Sequence, residues 1–369
     1  MKSLKFRRRL LAAVLSGATC LSLFLSGCTG ERDTRPVWVL ATASPEDTVT
    51  QLFAERFAQE VEELSGGEIL IKVYPNSTLG GDRELLESCY DGDIPFLVQN
   101  TAPQVTFMSD LAVFDLPCVF DSLDDCRAKL DDPDFYQSVC DVYTQGGYHL
   151  LGMADQGFRV MSTNRAVYSL DDFKGQKIRT MENPYHLDFW QALGAKPTPM
   201  SFSEVYIGLQ QHTIDAQENP YEVIVSNRLY EQQDYIVETN HLPHLISLIV
   251  NDQLFQSFSE EDQAILTQAA QTATQYAREQ SDARISQRID VIEESGTQII
   301  TLSQELRDEI RARCQGVYDA IEQAISPELF QGNTQKTKKR PTGSAHLAAL
   351  WGISYSLEPR PFGRGSNLH

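Results

Sequence analysis

Residues 174–184 read KGQKIRTMENP. Lys174, Lys177 and Arg179 gather positive charge around a short apolar run, in a chain of 369 residues whose formal net charge is −20. Gln176–Thr180 reads as a buried strand, and a cation there calls for an anionic partner. A guanidinium offers a planar fork that fits a carboxylate, which a lysine ammonium does not. Two readings of Arg179 follow: it bridges Asp171, Asp172 or Glu182, or it meets an anion from outside the chain. Asn219, in QENP, can donate and accept, which suits a carboxylate edge or a hydroxyl. Standing before Pro220, it equally suits a turn. Phe202 supplies either an apolar wall or a core side chain.

Other chemistry is not announced. The sequence holds no G-x-G-x-x-G, P-loop, H-E-x-x-H or G-x-S-x-G. Among seven histidines the only close pair is His241 and His244, and Pro243 between them argues against one helical face and a metal site. The acids read as solvated helix faces, and nothing marks a nucleophile with its base. No cofactor, no metal and no catalytic residue is expected.

The N-terminus reads as an export signal. Lys2, Lys5 and Arg7–Arg9 precede the apolar stretch Leu10–Gly27, which Ser16, Thr19 and Ser22 make a poor permanent span. The junction Leu25-Ser26-Gly27-Cys28 resembles a bacterial lipobox, so Cys28 is the expected lipidation site and membrane anchor. Loss of the signal's five cations takes the charge from −20 to −25. Residues 331–369 carry six cations and one acid, which puts the body near −30. Such a body repels nucleic acid and anionic lipid, so neither is an expected partner. Export permits disulfides, and Cys118 with Cys126 is one conceivable bridge, but free thiols among Cys89, Cys118, Cys126, Cys140 and Cys314 fit equally.

The elements that would position Arg179 follow an α/β alternation. Val37–Ala43 and Glu68–Tyr74 read as strands around an amphipathic helix, Asp47–Leu64, with Phe53, Phe57, Val61 and Leu64 at helical spacing. Asp82 is expected to cap a helix to Tyr90, before a third strand at Asp93–Val98. Strands at Tyr148–Met153, Gly157–Ser162, Gln176–Thr180 and Thr213–Gln217 alternate with helices at Pro184–Leu193, Glu204–Gln211 and Pro220–Tyr230. Ser201 and Glu204 form a potential capping box. The spacing argues for mainly parallel, doubly wound sheets. Ser257–Ser295 reads as one very long helix, long enough to cross two lobes.

Several segments in series carry a family likeness: SGGEILIKVYPNSTLGGDREL (Ser65–Leu85), VFDLPCVF (Val113–Phe120), GQKIR (Gly175–Arg179), LGAKPTPMSFSEVYIGLQQHTIDAQENP (Leu193–Pro220) and SNRLYEQQDYI (Ser226–Ile236). Over Val37 to Phe330 the chain resembles the solute-binding subunits of tripartite ATP-independent periplasmic (TRAP) transporters. The resemblance implies a two-lobed, periplasmic-binding-protein-like α/β fold, hinged, with a long helix spanning both lobes and an organic acid held between them. It implies lobes of 37–156 with 245–284 and 157–244 with 285–330. A signal peptide (1–27) and a tether (28–36) precede them, and a basic, disordered tail (331–369) follows. It assigns ligand contacts to Arg179, Arg159, Asn219 and Phe202, with Asn100, Gln99 and Asp82 as first-lobe candidates; a purely structural Arg159 is the other reading. It implies a small organic anion and TRAP permease subunits as partners, an extracytoplasmic site and a monomer. A lipoprotein presenting its closed form to a signalling receptor is the alternative. Two departures stand out: Cys118 replaces a common aromatic, and Asn100 replaces the glutamate of sialic-acid-binding members, which favours a smaller carboxylate.

Overall fold

The computed structural model describes residues 37–334. The signal, tether, Cys28 and residues 335–369 lie outside the described residues.

Two mixed sheets form the frame. The first has the order β2-β1-β3-β10-β4, from Val37–Ala41 (β1), Leu70–Tyr74 (β2), Phe96–Asn100 (β3), Tyr148–Phe158 (β4) and Pro243–Asn251 (β10). β1 runs parallel to β2 and β3, whereas β10 runs antiparallel to β3 and β4. The second has the order β11-β9-β5-β8-β6-β7, from Val160–Thr163 (β5), Lys177–Thr180 (β6), Lys196–Pro199 (β7), Ala216–Asn219 (β8), Tyr235–Glu238 (β9) and Gln298–Thr301 (β11). Here β5 runs against β8 and β9, and the other pairs are parallel. The expectation of mainly parallel sheets therefore needs correcting: each sheet takes antiparallel pairing from a strand after a return crossing, β10 in the first and β5 in the second.

Helix Val49–Leu64 buries Phe53, Phe57 and Val61 against the first sheet, and the Thr48 hydroxyl caps it by accepting from Gln51 N. Helix Glu260–Glu294 has 35 residues, about 52 Å of rise. Its N-terminal part presents Leu266, Ala269, Ala270, Ala273 and Ala277 to the same core. Gly152 on β4 allows close approach, since a Cβ added there would collide with Thr274 Oγ1 of this helix. Its C-terminal part reaches the second sheet's core through Ile292. Between these parts Arg284 and Arg288 each bond both Asp47, beside the first sheet, and Glu222, beside the second, at 2.6–2.8 Å.

Local expectations shift in four places. Gly81, not Asp82, is the N-cap of helix Asp82–Asp91. The capping box at Ser201 does not form, because its hydroxyl pairs with Ser203 Oγ and the first turn, Phe202–Glu204, is a 3-10 turn ahead of helix Val205–Gln210. The basic tail does not begin at Gln331: helix Pro327–Thr334 continues because Leu329 and Asn333 are buried. That helix packs on the first lobe's Ser109–Asp115 turn and helix Pro133–Gln145, with Asn333 Nδ2 donating to Val113 O at 2.7 Å, so the last described helix returns to the first lobe. The five described cysteines are free thiols.

Candidate functional site

The carboxyl ends of parallel strands from both sheets converge on one cavity. Ala43, Ser44 and Pro45 follow β1, Asn100 ends β3, Arg179 and Met181 lie at the end of β6, and Asn219 ends β8. Asp82, Phe202, Val223 and His244 complete a space of about 390 Å³, mouth included. Open α/β sheets place ligands at strand carboxyl ends because irregular backbone and polar side chains meet there.

Arg179 is 1% exposed. Its Nε and Nη2 donate to the Met200 carbonyl at 2.9 and 2.6 Å. Its guanidinium carbon lies 5.8 Å from the centre of the Phe202 ring. Nη1 has no hydrogen-bond partner among the described residues. Burial pulls the guanidinium down to about 10, with Arg159 acting the same way and Glu218 opposing, so it remains cationic at neutral pH. The three neighbouring acids are engaged elsewhere. Asp171 pairs with Lys174 at 2.6 Å, Asp172 accepts from Tyr168 N and Ser169, and Glu182 accepts from Arg83 Nε at 2.9 Å. Lys177 reaches Asp215 and the His212 carbonyl at the surface.

Arg159 is equally buried and fully engaged. Nε and Nη2 grip the Glu218 carboxylate at 2.5 and 2.9 Å. Nη2 also donates to the Glu218 carbonyl and to Asn219 Oδ1. Nη1 meets His244 Nδ1 at 2.5 Å. Arg159 is not among the residues lining the cavity, although its partners Asn219 and His244 are. Glu218 also accepts from His241 Nε2 at 3.1 Å, and His186 Nδ1 lies 3.7 Å from it. Burial alone would raise its pKa, but Arg159 and the two histidines hold it well below the carboxylate range. On its other side His186 meets Asp115 of the first lobe at 3.1 Å.

Of the other expected contacts, Asn219 and Phe202 line the cavity. The Asn219 amide gives one N–H to Gln217 Oε1 (2.6 Å) and accepts from Arg159 Nη2. Asn100 lines it too, but its side chain caps Ala102 N and donates to Leu245 O. Gln99 is withdrawn: its Nε2 bonds the Asp82 carbonyl and carboxylate, the latter at 2.8 Å. Asp82 faces the cavity, its pKa raised by burial against the pull of Gln99 and Arg179. Sequence reasoning missed His244 and Glu218. The available signals were a histidine opening the apolar run LISLIV, and an acid within the fully buried strand AQEN.

Comparison with known proteins gives a consistent answer. The profile of the bacterial extracellular solute-binding proteins, family 7, matches residues 40–324. A solute-binding protein of Verminephrobacter eiseniae is 34% identical over 229 residues, 62% of this chain and 68% of that protein. The sialic acid-binding periplasmic protein of Vibrio cholerae is 33% identical over 59% of this chain and 68% of its own length. The sugar acid binding protein of Advenella mimigardefordensis, solved with galactonate, superposes with a TM-score of 0.78 at 28% identity, over 81% of this chain and 97% of that one.

Proposed function

The chain belongs to the bacterial extracellular solute-binding proteins of family 7, the binding subunits of TRAP transporters, and from that premise we propose that it captures a small organic carboxylate in the cleft between its two sheets. It is a binding protein rather than an enzyme.

One observation carries the carboxylate reading: Arg179 lines the cavity, and its buried Nη1 has no partner among the described residues. A charge-assisted bond to this nitrogen contributes about 1.5–3 kcal/mol net. Micromolar affinity requires about 8 kcal/mol, so further cavity contacts and closure supply the rest. The two sheets are the cores of the closing lobes. The long helix and its Arg284–Arg288 cluster tie them, and ligand shifts the population toward the closed state. The relatives' ligands, sialic acid and galactonate, are both carboxylates. Asn100 in the wall, an amide rather than an acid, favours a smaller acid than sialic acid.

The test is calorimetry and thermal shift of the mature protein against a panel of mono-, di- and hydroxycarboxylates that includes galactonate and sialic acid. At least one carboxylate raises the melting temperature of the wild type, because a saturating ligand stabilises the native state, and Arg179→Ala abolishes the shift. Equal binding by both proteins removes Arg179 from the site.

Delivery completes the proposal. Cys28 carries lipid, the monomeric body is tethered outside the cytoplasmic membrane, and the closed form docks on TRAP permease subunits. Support comes from the Leu-Ser-Gly-Cys junction and from family membership. Among the described residues no helix is long and apolar enough to cross a membrane. Cys28→Ala is expected to move the protein from the membrane to the soluble fraction of exporting cells; unchanged fractionation rejects the anchor.

A further inference from the structure

Arg179 cannot hold a carboxylate alone. Its Nε–Nη2 edge, the side-on face of the fork, is occupied by the Met200 carbonyl. Nη1 is the nitrogen left unbonded. A carboxylate brings two oxygens, each accepting, and in a cavity shielded from water the second oxygen needs its own donor.

The lining residues leave few candidates. Asn100 and Asn219 each give one amide N–H to Leu245 O and Gln217 Oε1 and keep a second, whereas the donors of an entirely unpartnered side-chain nitrogen are all available. Asp82, when ionised, only accepts. Ser44 brings a half-buried hydroxyl. His244 is 4% exposed, lines the cavity, and its Nε2 has no partner.

Which His244 nitrogen carries the proton follows from its neighbour. Arg159 Nη1 lies 2.5 Å from His244 Nδ1. A guanidinium has no acceptor, so Nδ1 must accept, and the neutral ring then carries its proton on Nε2. An imidazolium would set N–H against N–H at that distance. Burial and the Arg159 charge both disfavour it, holding the ring's pKa well below the usual imidazole range. Arg159 therefore acts as a positioning residue: it turns His244 into a fixed donor facing the cavity.

Building on the carboxylate reading, we infer that His244 is a ligand-binding residue, its Nε2–H holding one carboxylate oxygen while Arg179 Nη1 holds the other. Ligand selectivity then depends on an oxygen pair wide enough to bridge the two donors, and a carboxamide in place of the carboxylate is rejected at one of them.

The experiment is calorimetry with the tightest carboxylate of the panel on the wild type, His244→Phe, His244→Gln, Ser44→Ala and Arg179→Ala. His244→Phe is expected to weaken binding about 10- to 100-fold. Glutamine accepts from Arg159 and donates to the ligand, so His244→Gln stays within about fivefold of wild type. Ser44→Ala is expected to weaken binding less than His244→Phe does, and a larger loss makes Ser44 the second donor and overturns the inference. The unliganded melting temperature of each variant separates a merely structural role, which would lower it without the rescue by glutamine. In wild-type protein, nitrogen-detected imidazole NMR is expected to show the Nε2–H tautomer of His244, with a resonance that moves on saturation. This readout holds even where His244→Phe fails to fold. Binding by His244→Phe within twofold of wild type, an Nδ1–H tautomer, or a resonance unmoved by ligand overturns the inference, and loss of binding in Arg179→Ala alongside leaves the carboxylate reading standing. A wild type that binds no carboxylate, or an Arg179→Ala that binds normally, removes the reading and the inference together.

Discussion

Arg159 and Arg179 are two fully buried guanidiniums, each 1% exposed, one just ahead of β5 and the other in β6, the two strands that flank β8. Arg159 is surrounded by acceptors: Glu218 twice, its carbonyl, Asn219 and His244. Arg179 has one carbonyl, one aromatic ring and one bare nitrogen. Burial therefore does not separate an arginine whose donors are all engaged from one with a donor to spare. The count of unsatisfied donors does, because a buried cation without an acceptor persists only where something else in the site offsets its desolvation.

The sharpest way to break this contrast is to delete each cation and watch unliganded stability. Arg159→Met takes from buried Glu218 its guanidinium partner and is expected to cost about 3–5 kcal/mol in urea unfolding. Arg179→Met is expected to change it by no more than about 1 kcal/mol, while weakening carboxylate binding about 10- to 100-fold by calorimetry. Similar losses from both would erase the distinction.

A second test concerns the network behind Arg159. Burial opposes the charge of His186, but Asp115 and Glu218 outweigh it and push the imidazole up to about 9, against an ordinary 6.5. A group raised on folding stabilises fully below its unfolded pKa and loses that contribution as pH rises through its folded one. Wild-type stability is thus expected to fall between pH 6.5 and 9, by about 3 kcal/mol at most. His186→Gln should flatten that window in pH-dependent unfolding; an unaltered slope places the proton elsewhere.

The smallest effect belongs to the cleft edge. Arg83 and Glu182 meet at 2.9 Å between the two lobes with about half of each side chain exposed. Such pairs contribute about 0–1 kcal/mol and fade with salt. Glu182→Gln is expected to shift the dissociation constant a few-fold at low ionic strength and not at 0.5 M salt.

How far the sequence reached depends on the range of the interaction. The helix at Glu260–Glu294 was legible because its long unbroken helical composition is local. β10 was not: Pro243 read as a breaker, and LISLIV has no alternation because the strand is buried on both faces between β3 and β4. Arg179 stood out as positive charge in an acidic chain, and the family likeness added to it. The fates of Gln99 and Asn100 were hidden, since their amides are consumed by Asp82 and Leu245. His244 and Arg159 stand 85 residues apart, so neither the fixed tautomer nor the partnered guanidinium leaves a trace in spacing.

The Met200 carbonyl has a kinetic consequence. By taking two N–H groups of Arg179, it fixes the guanidinium while the protein folds, long before a solute arrives. A free arginine side chain would lose about 2 kcal/mol of rotamer freedom at capture. Here that cost falls on folding, and capture starts from a rigid receptor. Association should then run at the pace of lobe motion, with discrimination between solutes expressed in how long each one stays.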